Sequence, residues 1–247
     1  MKIHLVMPMG GGGTRFQQVG FPMPKPLIEL CGHPFFYWAV QSVVRFTPVE
    51  DIHFVVLQEH VDNFHIDSEI RKYYPNADIC VIPQLLNGAV LTCLEGVKHI
   101  NDSSPILFND CDHAFVSHAF YNYCAGAGAD KPDGALLTFV SDSPNYSYVR
   151  FDGASRVCGT VEKSVVSSEA ICGAYYFSNR ELFESAAESY LQHCSYKEFF
   201  MSGVYNVLCA EGRKIVTFPT DEHISFGTPE EYIAAEKEEK RLHKLIK

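Results

Sequence analysis

Through the first half of the chain, short continuous runs of apolar residues alternate with stretches in which apolar positions recur every third or fourth residue. The continuous runs Ile3–Met7, Ile52–Leu57, Ile79–Ile82 and Pro105–Asn109 predict strands, because a strand covered on both faces needs no polar alternation. The periodic stretches Phe35–Phe46, Val61–Tyr74 and Ala89–Ile100 predict helices with one apolar face. Strand and helix in regular alternation imply an α/β, Rossmann-like arrangement, a mostly parallel sheet with helices on both faces.

The pattern changes further along. Ala135–Val140, Tyr146–Phe151, Val157–Val161 and Ile171–Phe177 predict strands separated by turn residues such as Asp152-Gly153. Arg180–Leu191 and Tyr196–Ala210 predict helices, Arg213–Phe218 a strand, and Pro229–Lys247 a charged C-terminal helix. Glu and Lys four apart on that last helix favour i,i+4 pairs. Its charged face is read either as solvated or as a homodimer contact. No Pro- or Ser-rich linker, low-complexity tract or repeat interrupts residues 1–247, so one continuous domain is expected.

Composition removes several function classes. The formal net charge is −10, and no basic patch or stripe of the kind that grips a phosphate backbone is visible, so nucleic acid is not an expected partner. No stretch of about 18 apolar residues spans a membrane, and no cationic region with a following apolar run marks a signal peptide. The nine cysteines are scattered and never spaced as C-x-x-C, which predicts reduced core thiols and a cytoplasmic protein.

The strongest local signal is Gly10-Gly11-Gly12-Gly13-Thr14-Arg15-Phe16, directly after the first strand. Consecutive glycines cost backbone entropy and bury nothing. Their use is to let backbone N–H groups approach a bulky anion. A P-loop would need Gly-Lys followed by Ser or Thr, and a dinucleotide loop would need glycine where Phe16 stands. Further on, Asp110 and Asp112 follow an apolar strand and point the same way in extended chain. Two carboxylates on one side repel unless a cation lies between them, and Mg²⁺ carried by a triphosphate is a natural one. The same segment also reads as an Asp-rich turn capping a helix.

GGGGTRF followed by Pro24-Lys25-Pro26-Leu27-Ile28 resembles the sugar-phosphate nucleotidyltransferase family in its short single-domain form. The resemblance implies a GT-A-like mixed sheet, with residues 1–130 binding the nucleotide, 131–228 the acceptor, and 229–247 forming a C-terminal helix. It implies transfer of an NMP unit from an NTP to a phosphorylated acceptor, a sugar 1-phosphate, with Mg²⁺ as cofactor and nucleotide-sugar and polysaccharide synthesis as setting. Met9, Gly10, Gly11, Gly12, Gly13 and Thr14 would then hold the nucleotide, with Arg15 on phosphate oxygens and Lys25 beside the leaving pyrophosphate or the acceptor phosphate. Gln84 and Gly88 match the base pocket, whose Gln amide suits a pyrimidine edge. Asp112 falls at the metal position, assisted by Asp110. Glu162, Gly173 and Tyr175 would meet acceptor hydroxyls, and Lys163 the acceptor phosphate.

Two departures stand out. Ser164 replaces the usual Pro after Glu162-Lys163, and Ser225 replaces the Asp that the family uses as a second metal ligand. The cleft is therefore expected to be one carboxylate short unless Asp110 or Asp221 compensates, and Ser225→Asp is expected to be tolerated. Two other readings remain open: a glycosyltransferase using Asp110-Cys111-Asp112 as its metal motif, and a catalytically silent nucleotide binder.

Overall fold

The computed structural model describes residues 1–126 and 131–246, so the expected boundary between halves at 130, and Lys247, lie outside the described residues. Along the chain the strands are β1 (Ile3–Met9), β2 (Glu29–Leu30), β3 (His33–Pro34), β4 (Val49–Leu57), β5 (Asp78–Ile82), β6 (Ile106–Asn109), β7 (His113–Val116), β8 (Gly134–Val140), β9 (Ser147–Phe151), β10 (Val157–Glu162), β11 (Glu169–Phe177), β12 (Ile215–Pro219) and β13 (Glu222–Ser225). The helices are α1 (Thr14–Gln18), α2 (Phe35–Val44), α3 (Gln58–Phe64), α4 (Ile66–Tyr73), α5 (Ala89–Val97), α6 (His118–Cys124), α7 (Arg180–His193), α8 (Met201–Ala210), α9 (Pro229–Glu236) and α10 (Glu239–Leu245), with a 3₁₀ turn at Lys25–Leu27.

A nine-stranded sheet runs β10-β9-β11-β6-β1-β4-β5, with β8 also paired to β11 and β12 paired to β8. β1 pairs in parallel with β4 and β6, β4 with β5, and β8 with β12. β11 runs antiparallel to β6, β8 and β9. The sheet is thus mixed, parallel where β-α units alternate and antiparallel where strands follow one another directly.

Each sheet face has its own core, as the period-2 alternation of strands requires. Leu5, Met7 and Met9 of β1 pack with Phe36 and Val40 of α2, whereas Val6 joins Val90 and Val97 of α5 on the other face. A third cluster, Phe16, Phe35, Trp38, Phe226, Leu242 and Leu245, fills the space beneath the glycine loop. It is closed by α9 and α10, so this tail is neither a single helix nor solvated all round. The charged tail was misleading because, among the described residues, few of its side chains face inward: Ala235, Leu242, Leu245 and Ile246 are buried and Tyr232 packs against them in part.

Three other boundaries differ from expectation. The helix expected at 61–74 is two, divided at His65, whose left-handed φ of 52° ends one helix and begins the next. The helix expected from Tyr196 starts only at Met201. The segment after Asp112 enters β7, which pairs antiparallel with β13, so the acidic strand end caps no helix.

Candidate active site

The sheet order fixes where a ligand belongs. From β1 the chain moves outward through β4 and β5, then returns to place β6 on the other side of β1. The crevice beyond the carboxyl ends of β1 and β6 is therefore a topological switch point, where open α/β sheets bind ligands. Gly10–Gly13 leave β1 there, and Asp110–Asp112 leave β6 there. No group among the described residues takes the N–H of Gly11, Gly12 or Gly13. Gly13, at φ 62°, turns the chain into α1, which begins at Thr14. Met9 has its side chain in the core, leaving only its main chain for a ligand. Arg15 is exposed on α1, lines the cleft and has no acidic partner among the described residues.

Both aspartates line the cleft, although β6 ends at Asn109 and residues 111–112 form a bend rather than extended strand. Asp112 accepts a hydrogen bond from Lys25 Nζ at 2.7 Å, with the two side chains 24% and 28% exposed. Burial works against ionising both partners, but the pairing prevails, so the Asp112 carboxyl is held below its usual range and the Lys25 ammonium above its own. Asp110 has no such cation; burial, and then the Asp112 charge, push its carboxyl up to about 7. The close packing needs two glycines. Gly173 has φ +84°, and a Cβ there would lie 2.8 Å from Asp110 Oδ2; at Gly227 a Cβ would lie 2.5 Å from Asp112 Oδ2. Neither position has room for a side chain.

A cleft of about 210 Å³ is lined by Arg15, Asp110, Asp112, Glu162, Gly173 and Tyr175. Glu162, at the end of β10, is oriented by two hydroxyls on Oε2, from Ser147 and from Ser202 at 2.9 Å. Lys163 does not line the cleft: it is exposed, at φ +52°, with Nζ 4.9 Å from the Phe200 ring centroid. Gln84 is exposed on the loop before α5. The same loop carries Gly88, whose missing side chain accommodates protein: a Cβ there would lie 2.4 Å from Phe199 N.

Among the lining residues that the sequence reading did not single out are His113, Tyr146, His223 and Glu231. His113 and His223 belong to the β7–β13 pair, and burial lowers their pKa values to about 4 and about 3. Glu231 alters the count of charges. Its Oε2 accepts from Ser225 Oγ at 2.8 Å, Gly227 N at 2.9 Å and Thr228 N at 3.1 Å, while Tyr146 donates to Oε1. The cleft therefore contains a carboxylate beside Ser225, on the following helix. Asp221 does not compensate: it is turned to His118, accepting from its N at 2.7 Å and Nδ1 at 2.8 Å.

This contact changes the outlook for Ser225→Asp. The hydroxyl donor is lost and two carboxylates face each other, costing about 2 kcal/mol, or roughly 6 °C in melting temperature for a domain of this size. Added Mg²⁺ is expected to restore part of that loss. Melting curves of the variant with and without Mg²⁺ provide the check, and a parent-like curve without Mg²⁺ would discount the Glu231 contact.

A protein-family model described as nucleotidyl transferase matches residues 5–241. The chain is 24% identical over 193 residues to a probable mannose-1-phosphate guanyltransferase of Schizosaccharomyces pombe, a match covering 72% of this chain and 45% of that protein. It is 28% identical over 181 residues to a mannose-1-phosphate guanyltransferase of Hypocrea jecorina, covering 69% and 48%. The chain thus spans about half the length of these relatives. Among solved structures, a nucleoside-diphosphate-sugar pyrophosphorylase from Vibrio cholerae RC9 superposes with a TM-score of 0.80 at 22% identity, covering 94% of this chain and 99% of that one. An inositol-1-phosphate CTP transferase from T. maritima superposes with a TM-score of 0.78 at 15% identity, covering 99% and 96%. These two structures speak for the fold. No described helix is long and apolar enough to cross a membrane.

Proposed function

The chain belongs to the nucleotidyl transferase family, and on that premise we propose that it transfers an NMP unit from an NTP to a phosphorylated acceptor, a sugar 1-phosphate, releasing pyrophosphate. The observation that carries this reading is that Arg15, Asp110, Asp112 and Glu162 line one cleft, at the switch point where the glycine loop leaves β1. Donors at one end suit the triphosphate. Glu162, on the antiparallel half of the sheet, suits the hydroxyls of an acceptor.

In the reaction, an acceptor phosphate oxygen forms a bond to the α-phosphorus while the bond to pyrophosphate breaks and its electron pair leaves with that group. A phosphate monoester has its second pKa at about 6, so the attacking oxygen is already ionised and needs no general base. Positioning and charge neutralisation are what remain for the protein. The backbone N–H groups and Arg15 hold the triphosphate oxygens, Lys25 orients Asp112, and Lys163 approaches the acceptor phosphate when its exposed side chain turns inward.

Asp110 and Asp112 are the residues that would hold Mg²⁺. Their chemistry fits, because both offer hard oxygen donors to one cleft and Lys25 pairs with Asp112 alone. When bound with the nucleotide, the ion supplies positive charge to the phosphate oxygens. A pool of NTP and sugar phosphate, together with nine free thiols, favours the cytoplasm as the place of action.

The reading is tested by a matrix of NTPs against phosphorylated acceptors, followed by pyrophosphate release. Release requiring both substrates is expected; none with any pair would overturn it. We assign the nucleotide to the pyrimidine class on the position of Gln84. Competition binding is expected to favour one of dTTP, UTP or CTP over ATP and GTP by about tenfold, the worth of one good hydrogen bond. A preference for GTP, the nucleotide suggested by the names of the two fungal relatives, would remove Gln84 from base reading.

A further inference from the structure

At the far end of the sheet from the cleft, two buried histidines on neighbouring parallel strands face each other. His4 lies at the start of β1 and His53 on β4, with side chains 4% and 6% exposed. His4 Nδ1 stands 3.4 Å from His53 Nε2. Asp51 Oδ2 lies 3.9 Å from His4 Nδ1, and these three ligand atoms all fall within 4.8 Å of one another.

The outer nitrogens are already engaged. His4 Nε2 is 3.2 Å from both oxygens of Asp102, and His53 Nδ1 is 3.2 Å from Asp78 Oδ2, which also meets His99 Nδ1 at 2.9 Å. A carboxylate only accepts, so the tautomer that satisfies Asp102 and Asp78 puts the proton of each ring on the nitrogen facing its aspartate. The two inner nitrogens are then bare lone pairs directed at one another, with a third acceptor, Asp51, beside them. Such a grouping calls for a cation.

The dimensions specify which kind. Four ligands about 2.0–2.1 Å from a tetrahedral ion stand roughly 3.3–3.4 Å apart, the spacing between the two histidine nitrogens. A ligating imidazole whose other nitrogen donates to a carboxylate is the arrangement that fixes the tautomer and raises ligand basicity. Both histidines have it. Two imidazoles and one carboxylate suit zinc and its transition-metal neighbours, whereas magnesium prefers oxygens throughout.

We infer that His4, His53 and Asp51 form a second metal site, for zinc or a similar divalent transition metal, separate from the nucleotide cleft. Asp51, 61% exposed, closes on the ion from solvent, and the fourth position is left to water. The site lies roughly 17–20 Å along β1 from the glycine loop, at about 3.3 Å per residue. It takes no part in group transfer. It joins β1 and β4 directly and reaches β5 and the 99–102 segment through Asp78, His99 and Asp102.

The test uses tag-free protein stripped with chelator. Zinc titration by calorimetry is expected to show one saturable ion per chain, with a rise in melting temperature, and cobalt is expected to give the intense visible absorption of a tetrahedral site. Asp51→Asn, at an exposed position, should leave the fold intact and weaken zinc binding at least about tenfold. His53→Gln should remove binding, while Asp112→Asn should keep it. The inference is overturned by the absence of saturable zinc binding in the parent, by undiminished binding in Asp51→Asn, or by loss of binding in Asp112→Asn. If His53→Gln does not fold, Asp51→Asn alone decides.

Discussion

Asp112→Asn is expected to lower turnover by about a thousandfold, the scale of removing one preorganised charge from a phosphoryl-transfer centre. The variant keeps the shape of the side chain and the acceptor for Lys25 Nζ, which stands 2.7 Å from Asp112 Oδ2. It loses the negative charge. Two consequences follow that a purely structural role would not combine. The magnesium concentration for half-maximal pyrophosphate release should rise steeply, because only Asp110 remains to meet the ion. Stability should fall by about 1–3 kcal/mol, since the partly buried Lys25 ammonium keeps a hydrogen bond but loses its counter-charge. Magnesium titrations of activity, with thermal melts of the same samples, read both quantities. A variant that titrates like the parent would remove Asp112 from the metal site.

Arg15→Ala should separate catalysis from folding more cleanly. Arg15 is exposed on α1 and has no acidic partner among the described residues, so its removal should shift the melting temperature by less than about 1 kcal/mol would. A clamp on developing phosphate charge is nevertheless worth a factor of about 10²–10³ in turnover. The guanidinium fork cannot be replaced by an ammonium at a bidentate site, so Arg15→Lys should recover only part of the rate. The decisive comparison is kcat with saturating NTP: a near-normal value for Arg15→Ala would show that this arginine does not touch the phosphates.

Much of this architecture could be read from the sequence because the relevant signals are local. β1, β6 and the second half of β4 are buried on both faces and carry short apolar runs that mark this directly in the sequence, while β5, at the edge of the sheet with Val81 exposed, keeps an apolar run without full burial. The glycine loop and the Asp110–Asp112 strand end are likewise contiguous. The pairing of β7 with β13 could not be read in the same way, because it joins residues 113–116 to 222–225 and each strand is only four residues long. Glu231 is an instructive middle case. Thr228-Pro229-Glu230-Glu231 carries the spacing of a capping box, and that box forms at the start of α9. The local signal announced a helix; nothing local announced that the same carboxylate would take the Ser225 and Tyr146 hydroxyls. The histidine site was hidden for a related reason. His4 and His53 each look like a lone histidine in an apolar run, and only parallel pairing of β1 with β4 sets them together.

The loop that carries Gln84 is also clasped from behind. Phe199 N donates to Asn87 O at 3.3 Å, Val90 N donates to Phe199 O at 3.1 Å, and the absent side chain of Gly88 is what lets the two segments close. Grafting this loop from a relative to alter nucleotide choice therefore cannot be done one segment at a time. A donor loop of another length, or one with any side chain at 88, would arrive without its counterpart and push 196–200 off the end of α8. The smallest exchangeable module is discontinuous, residues 83–90 together with 196–201, and chimaeras cut at those paired borders should fold where single-loop swaps do not.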